Sequence, residues 1–176
     1  MIEIDEQIEL LVRQAQLELP YRKVAFEQLA ELLYPGVRRL ATGVTGNQAF
    51  ADSATQDVLL RALHGLPKLK QTDSFPFWLR RITINVCNSA MTKEKREREK
   101  LEAYSSQADL SDTPEGDSPS YNQMVAGLNI EERTIVSLKI LEDLEFQEIA
   151  RVVDQTVSAT KMRYYRALDK MKTQLE

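Results

Sequence analysis

The chain is 176 residues long, 43% hydrophobic and 28% charged, and its 23 Lys and Arg against 27 Asp and Glu give a formal net charge of -4 at pH 7. A nucleic-acid-binding domain usually carries a basic surplus, so the total argues against DNA as a partner. One cysteine, Cys87, one histidine, His64, and six glycines leave no internal disulfide, no Cys/His zinc site and no glycine-rich phosphate loop, so neither an enzyme nor a cofactor is expected. Apolar residues recur at helical spacing and no stretch alternates as a half-buried strand does, which predicts an all-α protein. A first helix covers about 2–19, with Ile4, Ile8, Leu11, Val12 and Ala15 on one face, and Pro20 ends it. A second, about 23–43, turns Val24, Phe26, Leu29, Leu33, Val37 and Leu40 inward, with a kink or break expected at Pro35-Gly36 and a turn from Gly43 to Asn47.

The third helix, about 48–64, stacks Ala51, Ala54, Val58, Leu59, Ala62 and Leu63, with Gly65 as its cap. A polar loop follows from Leu66 to Asp73, and Ser74 is positioned to cap a long helix that tolerates Pro76 in its first turn and keeps Trp78, Ile82, Val86 and Ala90 on one side. From Ser105 to Ser120 the sequence is rich in Ser, Asp, Pro and Gly and too poor in apolar groups to offset ordering entropy, so it is read as a flexible acidic linker. Two small helical domains result, 1–100 and 122–176, with 101–121 between them. The second holds helices at about 121–141 with a break near Asn129, at 145–153 and at 156–174. The acidic start Met1 to Glu6 lacks the basic residues of a signal peptide, and the apolar runs fall far short of the roughly 18 residues of a membrane span. A cytoplasmic protein without membrane insertion is expected.

In the second domain a short helix from Phe146, the tight connection Asp154-Gln155 and a Thr156-capped longer helix form a helix-turn-helix pattern. Thr160, Tyr164, Ala167, Met171 and Leu175 make one continuous inward face on that longer helix. Lys161, Met162, Tyr165 and Arg166 are left outward near its N-terminal half, where a recognition helix meets bases and phosphates; Arg163, between the faces, suits a salt bridge or a phosphate equally. From 151 to 172 there are six basic residues against two acidic, so this segment is basic in a chain that is not.

In the first domain, Lys68 to Arg81 interleaves three aromatics with basic residues, a composition suited to stacking and holding single-stranded nucleic acid, although Phe75, Trp78 and Ile82 are also spaced as a core stripe. From 79 to 100 seven basic residues stand against three acidic.

Ser74-Phe75-x-x-Trp78-Leu79-x-x-Ile82-x-x-Asn85, preceded by Ala51-Asp52-x-x-x-Gln56-Asp57-x-x-Leu60-Arg61-Ala62 and followed by Glu148-Ile149-Ala150 and Arg163-x-x-Arg166-Ala167, resembles the extracytoplasmic-function sigma factors of the sigma-70 family, in order and over nearly the whole chain. The resemblance implies a subunit that directs core RNA polymerase to promoter DNA, with the phosphodiester chemistry left to the polymerase. Asp52, Gln56, Asp57 and Arg61 would meet the clamp coiled coil of the largest polymerase subunit. Lys70, Phe75, Trp78, Arg81, Asn85 and Ser89 would melt and read the minus-ten element, a flipped base lying in the 66–75 loop. Lys161, Met162, Tyr165, Arg166 and Arg163 would read the minus-thirty-five duplex. The flap of the second-largest polymerase subunit and an anti-sigma factor would be further partners.

Four residues depart from the pattern that the resemblance implies: Ser53 for an acid, Ser89 for Asp or Asn, Thr160 for an aliphatic residue, and Glu145 for a Ser/Thr helix cap. The last two are expected to lower helix stability. An ordinary helix-turn-helix regulator with an N-terminal effector domain is the competing reading, and a purely protein-binding helical adaptor a third, which leaves the recognition-helix charge unexplained. The negative total is itself an average: 1–20, 101–122 and 123–150 carry -4, -5 and -4, whereas 79–100 and 151–172 each carry +4. Free protein is therefore expected to bind DNA poorly.

Overall fold

A computed structural model describes residues 6–102, 121–125 and 127–175, all helical apart from short connections. Four helices form the N-terminal unit: α1 (Glu6–Glu18), α2 (Val24–Thr45), α3 (Gln48–Gly65) and α4 (Phe75–Glu102), with two 3-10 turns between α3 and α4. Four more form the C-terminal unit: α5 (Tyr121–Met124), α6 (Ile130–Ile140), α7 (Phe146–Val153) and α8 (Val157–Leu175). The stretch read as a linker, 105–120, lies outside the described residues, as do Ile4 and the side chain of Leu175.

Helix α2 runs without interruption through Pro35-Gly36, against the expected break. Pro35 sits on the exposed side while Leu29, Leu33, Val37, Leu40, Ala41 and Val44 bury the opposite face. That apolar stripe outweighs a missing hydrogen bond whose freed carbonyl faces water. The helix also continues past Gly43 to Thr45, and the chain leaves it at Gly46, whose φ of 70° is the left-handed cap. Asn47 then caps α3 by accepting from the amides of Ala49 and Phe50 at 2.9 and 3.3 Å.

Two expected caps are not caps. Gly65 closes α3 without a left-handed turn; a Cβ there would lie 2.7 Å from Cζ2 of Trp78, so its bareness makes room for the indole. The Ser74 hydroxyl donates to the Gln71 carbonyl at 2.6 Å and so stabilises the 3-10 turn ahead of α4 rather than accepting from α4's amides. The buried stripe of α4 is also shifted by one position from the expected one. It runs through Phe75, Leu79, Thr83, Val86 and Cys87, with Trp78, Ile82 and Ala90 half-buried at its edge. Thr83 fits inside because its hydroxyl donates to the Leu79 carbonyl at 2.9 Å.

In the C-terminal unit the expected break near Asn129 is a capping box: Asn129 accepts from the Glu132 amide at 2.9 Å and Glu132 accepts from the Asn129 amide at 3.0 Å. Helix α7 begins without a Ser/Thr cap, and the Glu148 carboxylate instead accepts from the Glu145 amide at 2.8 Å. Thr160 is fully buried and donates to the Thr156 carbonyl at 2.9 Å, so neither departure leaves a polar group stranded. Val125, Leu128, Val136, Ala167 and Met171 form a small core of this unit's own. Ile135, Leu138, Leu144, Ile149 and Val152, by contrast, join the large core built by α1 to α4.

Candidate nucleic-acid interface

Asp154, in the left-handed conformation at φ 57°, turns the chain between α7 and α8. The Thr156 hydroxyl accepts from the Ala159 amide at 3.2 Å and starts α8 as expected. With Thr160, Ala167 and Met171 buried and Tyr164 half-buried, the opposite side presents Lys161, Met162, Tyr165 and Arg166 to solvent; Met162 and Tyr165 are each 56% exposed. This face stands on an aromatic base that the sequence pattern does not single out. The Phe146 ring lies 5.3 Å from Tyr164 and 6.4 Å from Tyr165, with the ammonium groups of Lys161 and Lys139 at 5.7 and 5.6 Å from its centroid. A phenylalanine three residues before Ile149 reads as ordinary amphipathic packing, and its pairing with the next helix becomes visible only once both are placed.

Of the two readings of Arg163, the salt bridge is present: its guanidinium lies 2.8 Å from the Glu131 carboxylate. It secures α8 to α6, as does Lys170, whose ammonium donates to both Glu132 oxygens at 2.6 and 2.9 Å. Burial by itself raises the Glu132 pKa, but the Lys170 hydrogen bonds, the Asn129 amide and the charges of Lys170 and Arg163 together hold it below the ordinary glutamate value.

On α4, Arg81, Asn85 and Ser89 are exposed at i, i+4 and i+8. Phe75 does not join them. At 2% exposure it is core, packed against Trp78 with ring centroids 5.9 Å apart, and cannot stack on a base while the helix is folded. Trp78 is half-buried, under Gly65. Lys68, Lys70, Gln71 and Asp73 of the preceding loop are exposed. The loop is held from α1, where Gln16 Nε2 donates to the carbonyls of Leu66 at 3.1 Å and Leu69 at 2.8 Å. Nothing in the sequence pattern points to Gln16, because its partners are backbone atoms about fifty residues away.

On α3, Gln56, Asp57 and Arg61 share an exposed face, with Asp57 and Arg61 3.4 Å apart. Leu60, 54% exposed, adds an apolar centre absent from the residues expected there. Asp52 is turned partly away, its carboxylate ion-paired with Arg38 of α2. Burial pushes the Cys87 thiol up to about 12, so it is neutral and unreactive at physiological pH. Among the described residues no group of His, Cys, Asp and Glu is arranged to hold a metal ion, and no helix is long and apolar enough to cross a membrane.

Residues 29–97 match the model of sigma-70 region 2, and residues 120–171 that of sigma-70 region 4. The chain belongs to the sigma-70 family, as an extracytoplasmic-function sigma factor. It is 27% identical to the RNA polymerase sigma factor SigV of Bacillus subtilis strain 168, over 78% of this chain and 82% of that protein. To the ECF RNA polymerase sigma-E factor of Haemophilus influenzae it is 24% identical, over 88% and 89%. Among solved structures it has the fold of CnrH, determined in complex with the cytosolic domain of CnrY, with a TM-score of 0.68 at 21% identity over 97% of both chains. It also has the fold of the sigma factor RpoE from Bartonella quintana, determined with the anti-sigma factor NepR, with a TM-score of 0.70 at 20% identity over 85% of this chain and 96% of that one. This sigma factor is thus a non-catalytic transcription initiation factor, which closes the regulator and adaptor readings. Region 2 ends within α4 and region 4 begins at α5, so the basic faces of α4 and α8 lie in separate sigma regions.

Proposed function

We propose that the sigma factor reads the minus-thirty-five duplex through Lys161, Met162, Tyr165 and Arg166 of α8, and the melted minus-ten strand through Lys70, Trp78, Arg81, Asn85 and Ser89. The observation that carries this is the outward face of α8: two cations and two large side chains in adjacent turns, on a helix whose other face is its unit's own core. Lys161 and Arg166 are placed for phosphates and base edges, and Met162 for an apolar contact such as a thymine methyl. Arg163 serves the face indirectly through Glu131.

Core polymerase binds the outer side of α3 in this reading, with Gln56, Asp57 and Arg61 around Leu60 against the clamp coiled coil of the largest subunit, and the flap of the second-largest subunit holds the C-terminal unit. Asp52 supports that side by fixing α3 to α2. An anti-sigma factor is a further partner, as for the Bartonella RpoE with NepR. Such a factor works in the cytoplasm, where the polymerase is.

Run-off transcription with purified core polymerase on a promoter library tests the reading. Protein-dependent start sites are expected, weakened by Lys161→Ala and Arg166→Ala; initiation unchanged in both variants removes α8 from the promoter. Asp57→Lys is expected to abolish co-purification with core polymerase, and its retention moves the polymerase contact off α3.

A further inference from the structure

Exposed apolar side chains gather in one place that the proposed promoter and polymerase faces leave unused. Among the described residues, Leu10, Leu17, Tyr21, Val24, Leu32 and Tyr34 are large hydrophobics open to solvent, and all lie on the hairpin of α1 and α2. Elsewhere Leu60 belongs to the outer side of α3 and Met162 and Tyr165 to the face of α8, with Ile140 standing apart. Single exposed hydrophobics need no explanation, whereas a cluster marks a surface that another body covers. The match to region 2 starts at residue 29, so α1 lies ahead of it.

Helix α1 has two apolar stripes where its own fold needs one. Ile8, Leu11, Val12 and Ala15 bury the side that packs on the core. The side diametrically opposite holds Glu6, Leu10, Arg13 and Leu17 at i, i+4, i+7 and i+11. Leu17 is 87% exposed and Leu10 57%, so neither leans into the core. The outward stripe of a surface helix is ordinarily polar, and two leucines at its centre contribute nothing to the folded monomer.

The charges around the stripe say what covers it. It is acidic at its start, with Glu6 and Glu9, and basic just past its end, with Arg22 and Lys23, all four exposed. A second copy of α1 laid antiparallel, with Leu10 opposite the second copy's Leu17, brings each acidic end against the other copy's basic end and sets Tyr21 over the other's first turn. Such a contact is isologous, the same surface serving both copies about a two-fold axis. A partner of one charge sign throughout would match one end and oppose the other. Arg13 falls near the axis, close to Arg13 of the second copy, and so works against the pairing; Glu9, one turn before it on the same helix, offsets part of that charge. A helix of 13 residues is about 20 Å long, so the area covered is at the small end of specific interfaces and the association is weak.

We infer that the outward face of α1, centred on Leu10 and Leu17, is a docking site for a second copy of this chain, giving an antiparallel, reversible dimer of the free sigma factor. The dimer stands on the residues of α1 and the turn after it, and does not rest on the promoter contacts proposed above.

Sedimentation velocity of the full chain tests this. From about 1 to about 200 µM the wild type should pass from monomer to dimer, with a dissociation constant on the order of 10 µM. Leu17→Lys, which sets a charge at the centre of the contact, should raise that constant roughly tenfold or more. Arg13→Gln should lower it, because two like charges leave the axis. The ends report the orientation. Glu6→Lys with Glu9→Lys in one chain, and Arg22→Glu with Lys23→Glu in another, should each weaken self-association, whereas an equimolar mixture of the two chains should dimerise about as well as wild type, since every end then meets its opposite. All these positions are exposed, and unchanged helical circular dichroism separates lost docking from lost folding; if Leu17→Lys loses helix, Leu10→Lys takes its place and is read in the same way. A wild type that stays monomeric at every concentration overturns the inference, as does a dimer that Leu17→Lys leaves intact. A mixture that associates no better than either charge variant alone overturns the antiparallel pairing. If the wild type is monomeric throughout and Leu17→Lys abolishes co-purification with core polymerase, the face belongs to the polymerase and the inference falls as well.

Discussion

The basic faces of α4 and α8 are built differently. The face of α8 is braced by side chains of its own unit: Glu132 holds Lys170, Glu131 holds Arg163, and Phe146 lies beneath Tyr164 and Lys161. The face of α4 depends on parts from elsewhere, on α1 for the loop ahead of it and on the core beneath Phe75, and the C-terminal unit stands against it. Duplex readout needs a rigid helix that fits an existing groove, whereas reading a melted strand needs a surface that is uncovered when the strand becomes available. The difference shows that one acidic chain carries two basic surfaces supported in unlike ways.

The sharpest break in this comparison is at Phe75. If it is the floor of the α4 face rather than a stacking ring, Phe75→Ala removes about 3–5 kcal/mol from the N-terminal unit, measured by urea unfolding. The α8 face should survive, as read by unchanged reactivity of Lys161 toward acetylation in the full chain. Trp78→Ala should cost the unit less, since its indole is only half-buried, while reducing minus-ten readout more than stability.

The second break concerns the α8 side. Glu132→Gln weakens the capping box and removes the charge that faces Lys170, an expected loss of about 1–2 kcal/mol at neutral pH. The folded-state pKa of Glu132 is depressed below the ordinary value of 4.5. Its stabilisation is therefore fully present above about 4.5 and disappears as pH falls through the lower folded value, because the unfolded chain binds the proton first. Wild-type and Glu132→Gln unfolding curves should differ at pH 7 and converge in acid. A difference that persists unchanged to acid pH moves the effect from the carboxylate charge to packing.

A smaller effect separates Arg163 from its neighbours. Removing one cation from a phosphate takes roughly 0.9 off the slope of log affinity against log salt, so Lys161→Ala and Arg166→Ala in the holoenzyme should each flatten that slope. Arg163→Ala, whose partner is Glu131, should lower stability and leave the slope alone.

What is legible in the sequence follows from the range of the forces involved. Helix α8, with its Thr156 start and its Thr160, Tyr164, Ala167 and Met171 interior, is fixed by neighbours within four residues, so periodicity alone places it. On α4 periodicity finds one buried side but misses Arg80 and Ile84, which are buried against the other unit, a contact that no spacing records. Gly43 looks like a turn for the same reason: its role is to admit Leu141, almost a hundred residues on. Pro35 carries an intrinsic cost, and the buried face opposite it decides the outcome. The exposed site residues remain legible because outward positions are found by exclusion from a core that is nearly right. Phe75 fits both sets by spacing, and the core takes it.

The finest test of the difference between the two faces is Gln16. Its amide nitrogen reaches two carbonyls of the 66–69 turn, at 3.1 and 2.8 Å, and thereby fixes the backbone from which exposed Lys68 and Lys70 project. A loop ordered in advance does not lose that freedom when it meets a melted strand, so the clamp should act on binding as well as on folding. Each hydrogen bond contributes about 0.5–1.5 kcal/mol net. Gln16→Leu keeps the side chain's bulk beside Ala15 and Leu19 but removes the donor, and is expected to lower minus-ten-dependent open-complex formation several-fold. Minus-thirty-five selectivity and association with core polymerase should be unchanged, because α8 and the outer side of α3 take no support from α1's glutamine. Gln16→Glu should behave worse than Gln16→Leu, since a carboxylate would face two carbonyl oxygens. If both variants reduce minus-ten and minus-thirty-five recognition equally, the loop is not separately supported, and the α4 face is as self-contained as that of α8.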